Sequence, residues 1–468
     1  MKLMAYLWKI LQTFIASFWK KLLPFCRPES TFTANVMAPL FIEETDWEAF
    51  EKQLQIARNM GITAVSTDIW WGLVEAQEGI YDWEYYDKLL GKIQEYKLRW
   101  MPIMSFHQCG SNVGDEFWQP LPEWVWEKLK KENLEIKSIE DLKYVSEEGT
   151  SNHEIIALWA DRWVLPIYER FLQHFKSHYQ AVISDIEEVN ISCGSAGELR
   201  YPSYNYHDSG AYPNRGRLQC YSRLAKNDFR DAIKNRYATL KKLNQAWQTD
   251  FQSFEEIEPP KDAAYFFESE TYRTTFYGRE FIDWYTESLA QHGKRMMQMA
   301  VQVFSDEDWK KVPLGFKIPG IHWRMTDPKK PRSAEICAGL IPSHDNDSFG
   351  NGFGYQKMIE CVIPKHLRKR VILHFTCLEM SDNQGGEDVY SKAQTLVFWI
   401  GDTAKKLKIN LKGENALAGG ILNETGWDNI EKAVLQSHYS GLTTLRIEQA
   451  TSKIGQKRYT QLIQKVNQ

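Results

Sequence analysis

From residue 36 onward the chain alternates short apolar, β-branched runs with longer amphipathic stretches, and this rhythm predicts repeated βα units around a parallel sheet. Eight runs are countable, at 36–40, 63–69, 100–106, 182–191, 312–318, 371–375, 409–411 and 441–445. Between them lie helical patterns at 47–60, 83–96, 155–178, 221–247, 274–303 and 391–407. Asp46 stands where a side chain would cap the first helix, and Gly61 where the helix would stop. No domain-sized linker or low-complexity tract interrupts the series. The expectation is an α/β fold, a (β/α)8 TIM barrel over 31–468 with long βα loops forming the active-site rim.

In such a barrel the chemistry gathers where the βα loops converge, at the C-terminal ends of the strands. Polar residues recur at those places. Asp68 ends the second run, His107 the third, Glu198 follows the fourth, Lys317 and His322 the fifth, Thr376 the sixth, Glu414 the seventh and Arg446 the eighth. One polar residue at a strand end is ordinarily a helix cap or half of a salt bridge, but seven strands doing it together point to an assembled site.

The first thirty residues follow a different pattern. Leu3, Leu7, Leu11, Phe14, Ile15, Phe18 and Leu22 recur at helical spacing among Lys2, Lys9, Lys20, Lys21 and Arg27, with no acid before Glu29. This extension, 1–30, reads as a cationic amphipathic helix suited to an anionic membrane surface through residues 1–25. A degenerate secretory signal is the rival reading, broken by Lys9 and Gln12 and lacking a small-residue cleavage site. Secreted, membrane-associated and cytoplasmic locations all stay open.

Composition narrows the class. A net charge of -4 gives no basic field for nucleic acid. Eighteen Trp, 22 Tyr and 23 Phe fit either a large aromatic core or the flat apolar platforms that bind sugar rings. Trp70, Trp71 and Trp323 are open to both readings. The seven cysteines are odd in number, scattered and without a CxxC pair, so they read as buried thiols, Cys109 and Cys377 included, rather than a disulfide framework or zinc site.

Four longer motifs carry a resemblance. Residues 105–115 read SFHQCGSNVGD, 196–204 AGELRYPSY, 375–380 FTCLEM and 413–417 GENAL, and together they resemble the β-amylase family. The segments VMAPL at 36–40, DIWWG at 68–72 and GIHW at 320–323 extend the likeness over 36–446, and PEWVW at 122–126 with AYPNRG at 211–216 brings it closer to the bacterial branch. Ser111 and Ser195 depart from the pattern, where Gly and Pro are common.

The resemblance implies an inverting, exo-acting glycoside hydrolase that releases β-maltose from the non-reducing ends of α-1,4-glucans such as starch, glycogen or maltodextrins. By motif, Glu198 is the acid and Glu414 the base. Inversion needs one protonated carboxyl for the leaving oxygen and one carboxylate to activate water on the opposite face of the sugar. Asp68, His107 and Asp115 are expected at the non-reducing end, Lys317 and His322 further along the chain, and Thr376, Asn415, Ala416 and Arg446 at the cleavage point. Glu379 is expected in a supporting role on the Thr376 loop, and 110–115 as a mobile lid. No cofactor is required. Of the carboxylates that hold a structural calcium in bacterial members, Glu75 and Glu78 match, whereas the later acidic pair is replaced near Leu165 and Pro166. Only 22 residues follow Arg446, so no C-terminal starch-binding module is expected, and raw granules should be poor substrates. Two alternatives stand beside this reading. A catalytically silent glucan sensor would have lost part of the residue set, and a retaining glycosidase would hold its carboxyls only about 5–5.5 Å apart.

Overall fold

The computed structural model describes residues 32–110, 115–205, 207–342 and 353–468. The amphipathic extension, with Cys26, therefore lies outside the described residues, as do positions 111–114 of the expected lid.

Eight parallel strands close into a barrel: β1 (Thr33–Met37), β2 (Ala64–Trp70), β3 (Arg99–Ser105), β6 (Val189–Ile191), β7 (Leu314–Ile318), β8 (Val371–Phe375), β9 (Asn410–Glu414) and β10 (Gly441–Thr444), while β4 (Tyr144–Val145) and β5 (Ser151–Asn152) form a small hairpin outside it. β10 closes the ring against β1, Val36 standing opposite Thr444. A closed ring leaves no unpaired edge, and the outer faces of the strands bury against the helices. The strands alternate with helices as the hydrophobic rhythm predicts.

The helix Trp47–Met60 shows why the pattern was readable. Trp47, Phe50, Leu54, Ala57 and Met60 recur at three- and four-residue spacing and all five are buried, and Gly61 ends the helix with a φ of 89°, its N–H returning to the carbonyl of Arg58. Asp46 occupies the N-cap position but its side chain caps nothing. Its backbone is already helical, at φ -102° and ψ -6°, so the carboxylate points away from the free N–H groups and accepts from Thr45 instead.

Three other expectations shift. Of the run 182–191 only β6 is strand, because Gln180–Asp185 is a tight 3-10 turn that closes the preceding helix, with Val182 N–H donating to Tyr179. The pattern 221–247 divides into Arg223–Tyr237 and Leu240–Trp247: Ala238 adopts a φ of 59° and Thr239 caps a new helix by accepting from Lys242. The helix expected from 155 starts at Asp161 (Asp161–His178), whose carboxylate faces His292.

The connections at the C-terminal side of β3 and β6 are much the longest, and their side chains converge on the barrel mouth. Among the described residues no helix is long and apolar enough to cross a membrane.

Candidate active site

At the barrel mouth lies a cavity of about 600 Å³. Asp68, His107, Asp115, Glu198, Lys317, His322, Thr376, Glu414, Asn415, Ala416 and Arg446 all line it, so eleven of the twelve site residues named from the sequence meet in one space. Glu379 stands behind the wall.

Glu198 reaches the cavity by an excursion. After β6 the chain leaves the barrel, turns through Ala196 (φ 56°) and Gly197 (φ 76°), and returns so that Glu198 pairs with Lys317 of β7 and Leu199 N–H donates to the Lys317 carbonyl at 2.8 Å. A Cβ on Gly194 would come within 2.3 Å of the Glu198 carbonyl, so glycine is required for the turn to close. The Glu198 carboxylate accepts from Arg200 Nε at 2.9 Å. Burial raises its pKa and Glu414 adds to the rise, against the lowering influence of Arg200 and Lys317; the net shift is upward.

Glu414 needs no excursion, being the last residue of β9, and its carboxylate accepts from Lys317 Nζ at 2.6 Å. Lys317 thus touches one carboxylate by side chain and neighbours the other by backbone. Burial disfavours its charge, but the pull of Glu414, then Glu198 and Asp68, outweighs it and keeps the ammonium protonated. Lys317, expected further along a bound chain, lines the cavity and donates to Glu414.

The remaining residues are held ready by neighbours. Asp68 accepts from Ser105 Oγ at 2.7 Å, and burial raises its pKa. His107 is bonded through Nδ1 to Ser192 and His322 through Nδ1 to Ser391; burial pushes their pKa values down to about 3 and about 4, so both are neutral at physiological pH. Thr376 Oγ1 accepts from Gly320 N–H. Asn415 ties two loops, accepting from Leu445 N–H at 2.8 Å. Asp115 accepts from Gly110 N–H across the expected lid. Arg446 lines the cavity, and among the described residues its buried Nη1 has no hydrogen-bond partner. Trp70 and Trp323 line the cavity, whereas Trp71 is core, its indole donating to Glu75. The six described cysteines are all free thiols, five of them buried.

Glu379 serves a different loop from the one it lies on. Its carboxylate accepts from the N–H groups of Ala416 and Leu417 at 2.9–3.1 Å, directly beyond Glu414, and burial raises its pKa to about 7.

Beneath the cavity is a group that sequence reading passed over. Glu188 accepts from His374 Nε2 at 2.5 Å and Lys412 Nζ at 2.7 Å. Burial opposes its charge, but Lys412 and then His374 prevail and hold its pKa down at about 2. An ionisable residue in or directly before three barrel strands was the available signal: Glu188 before β6, His374 in β8 and Lys412 in β9. Arg200, part of the AGELRYPSY motif but not among the site residues expected from sequence, also lines the cavity.

Away from the mouth, the Glu75–Glu78 pair faces cations of the chain itself. Glu75 is fully buried and accepts from Arg170 Nη2 at 2.6 Å, Trp71 Nε1 at 2.9 Å and Gly79 N–H at 2.9 Å. Glu78 lies 2.8 Å from Lys128 and 3.5 Å from Arg170, and the guanidinium rests over Trp124.

The glycosyl hydrolase family 14 model matches residues 35–467. The thermophilic β-amylase of Thermoanaerobacterium thermosulfurigenes is 35% identical over 426 residues, 91% of this chain and 72% of its own. The β-amylase of Cytobacillus firmus is 35% identical over 428 residues, 90% of this chain and 83% of its own. The crystal structure of the catalytic domain of β-amylase from Paenibacillus polymyxa superposes with a TM-score of 0.81 at 33% identity, covering 93% of this chain and 98% of that one.

Proposed function

Because the chain belongs to glycosyl hydrolase family 14 and is a β-amylase, hydrolysing α-1,4-glucans, we propose that Glu198 is its general acid and Glu414 its general base. The observation that carries this assignment is the pairing of two carboxylates in one cavity, each given a different partner. Glu198, its pKa raised by burial, keeps a proton to donate to the glycosidic oxygen as the C1–O bond breaks. Glu414 takes the proton of the water that attacks C1 from the other face, and Lys317 holds the carboxylate in register for it. The neutral imidazoles His107 and His322, with Asp68, Asp115, Thr376, Asn415, Ala416 and Arg446, hold successive glucose units. Glu379 supports the base by fixing the backbone of Ala416 and Leu417.

Maltohexaose followed by proton NMR from the first minute tests the reading. Maltose should emerge as the β-anomer and be lost in both Glu198→Gln and Glu414→Gln. Initial α-maltose would refute inversion, and tight binding without cleavage would support the silent sensor.

The Glu75–Glu78 pair does not fit a calcium ion. Its charges are answered by Arg170 and Lys128, and the lone pairs a metal would take from Glu75 already accept three protein donors. Stability should accordingly be indifferent to calcium: excess EGTA should move Tm by less than about 1 °C, since a ligand that does not bind the native state cannot stabilise it. A large chelator-induced fall would contradict this reading.

A further inference from the structure

We propose that Glu154 is a positioning residue for the general acid, an inference that rests on the assignment of Glu198 above. Glu154 is 2% exposed, and its Oε1 accepts from two members of the Glu198 turn, Ser195 Oγ at 2.8 Å and Ala196 N–H at 2.9 Å. It lies forty-odd residues away in sequence, just past the β4–β5 hairpin, and does not line the cavity. A carboxylate buried there has no substrate to meet. The two donors it receives both belong to the turn that delivers Glu198.

That turn needs outside support. Ala196 sits in the left-handed region at φ 56°, a conformation that costs an L residue free energy and persists only where neighbours over-determine it. Two buried side chains supply the constraint from opposite ends. His292 bridges the Cys193 carbonyl, 2.9 Å from its Nε2, and Asp161, 2.9 Å from its Nδ1, and Glu154 grips Ser195 and Ala196. The Glu154 main chain extends the brace: its own N–H donates to Asn152 Oδ1, and its carbonyl accepts from Gln108 N–H at 2.7 Å, next to His107. The acid turn and the His107 loop are therefore tied through one residue. Glu154 also adds to the negative charge that Arg200 answers, so its removal alters the electrostatics around Glu198 as well as its geometry.

The consequence is specific to proton donation. If Glu154 sets where Glu198 points, its loss should slow only those reactions whose leaving group needs that proton. A glucan's alkoxide leaving group needs it. Fluoride leaves from C1 of α-maltosyl fluoride with the same attack by Glu414-activated water but no required proton from Glu198.

The test compares kcat for maltohexaose and α-maltosyl fluoride in Glu154→Ala, Glu154→Gln and Ser195→Ala, with Glu198→Gln as reference. Glu154→Ala should lose about 10-fold or more on maltohexaose and less than about 3-fold on the fluoride, a fraction of what general acid catalysis contributes. Glu154→Gln retains one acceptor oxygen and should recover most of the rate. Ser195→Ala removes one of the two contacts and should show the same split at smaller size; with Glu154→Gln it keeps the test open if the alanine variant does not fold. Equal losses on both substrates, or no loss on maltohexaose in a folded Glu154→Ala, would overturn the inference. If Glu198→Gln itself fails to separate the substrates, the acid assignment fails; if Glu198→Gln separates them and Glu154→Ala does not, only the role of Glu154 fails.

Discussion

The Glu198 side and the Glu414 side of the cavity carry the same side chain on opposite kinds of support. Glu414 ends a barrel strand and takes its cation from another strand, 97 residues away, so its position is inherited from the barrel. Glu198 hangs on a turn that has left the barrel and come back, its cation, Arg200, is two residues along the same segment, and its backbone includes a strained alanine. Behind each stands a second buried carboxylate: Glu379 accepts from the Ala416 and Leu417 N–H groups beside Glu414, and Glu154 from the Ala196 N–H and the Ser195 hydroxyl in the Glu198 turn. A base must be accurately placed and ionised, which a rigid strand and an ammonium group favour. An acid must stay protonated, which calls for burial, and on the Glu198 turn burial outweighs Arg200.

The comparison breaks most decisively if either carboxylate proves dispensable. Glu198→Gln and Glu414→Gln should each lower kcat on maltohexaose by about 10²–10⁴-fold, the range general acid–base catalysis spans, with unchanged circular dichroism. A variant retaining more than about a tenth of the rate would remove its residue from the reaction.

Lys317→Met probes the Glu414 side next. It leaves a buried carboxylate without its partner, so we expect a stability loss of about 3 kcal/mol by urea unfolding, together with a fall in kcat larger than the rise in KM. A change confined to KM would assign Lys317 to holding the sugar chain rather than to the Glu414 carboxylate.

Glu379→Ala should cost about 1–3 kcal/mol by leaving the Ala416 and Leu417 N–H groups unpaired. Its activity loss should be equal on maltohexaose and α-maltosyl fluoride, because both need the base. A split like that expected of Glu154→Ala would contradict the division of labour between the two supports.

The subtlest expectation concerns pH. Arg200 lowers the pKa of Glu198, so Arg200→Met should raise it further. Since the acid works protonated, the alkaline limb of kcat should move to higher pH; a shift to lower pH would mean that Arg200 does not act on the acid by its charge.

How much of this was legible follows from the same contrast. Glu414 and Lys317 sit on strands whose apolar pattern is strong, so a barrel and the places of its polar strand ends could be read directly. The run at 182–191 misled because Val182 and Ile183 belong to a 3-10 turn, and hydrophobic residues alone do not distinguish a turn packed on a helix end from a strand. Asp46 has a capping side chain, but a helical backbone at that residue denies it the geometry. The return of Glu198 onto β7 has no periodic signature, since it depends on single residues such as Gly194 and on contacts from Glu154 and His292, distant in sequence. Glu379 was recognisable as a supporting group, yet which loop it supports is a matter of three-dimensional proximity.

Carbon-13 NMR of protein labelled at glutamate carboxyls, titrated with pH and compared with Glu198→Gln and Glu414→Gln, reads the protonation of the acid itself. A resonance titrating above the ordinary glutamate value of about 4.3 should be absent from Glu198→Gln and present in Glu414→Gln. If the resonance lost in Glu198→Gln instead titrates at or below that value, burial does not hold the proton on Glu198, and the assignment of the two carboxylates is wrong.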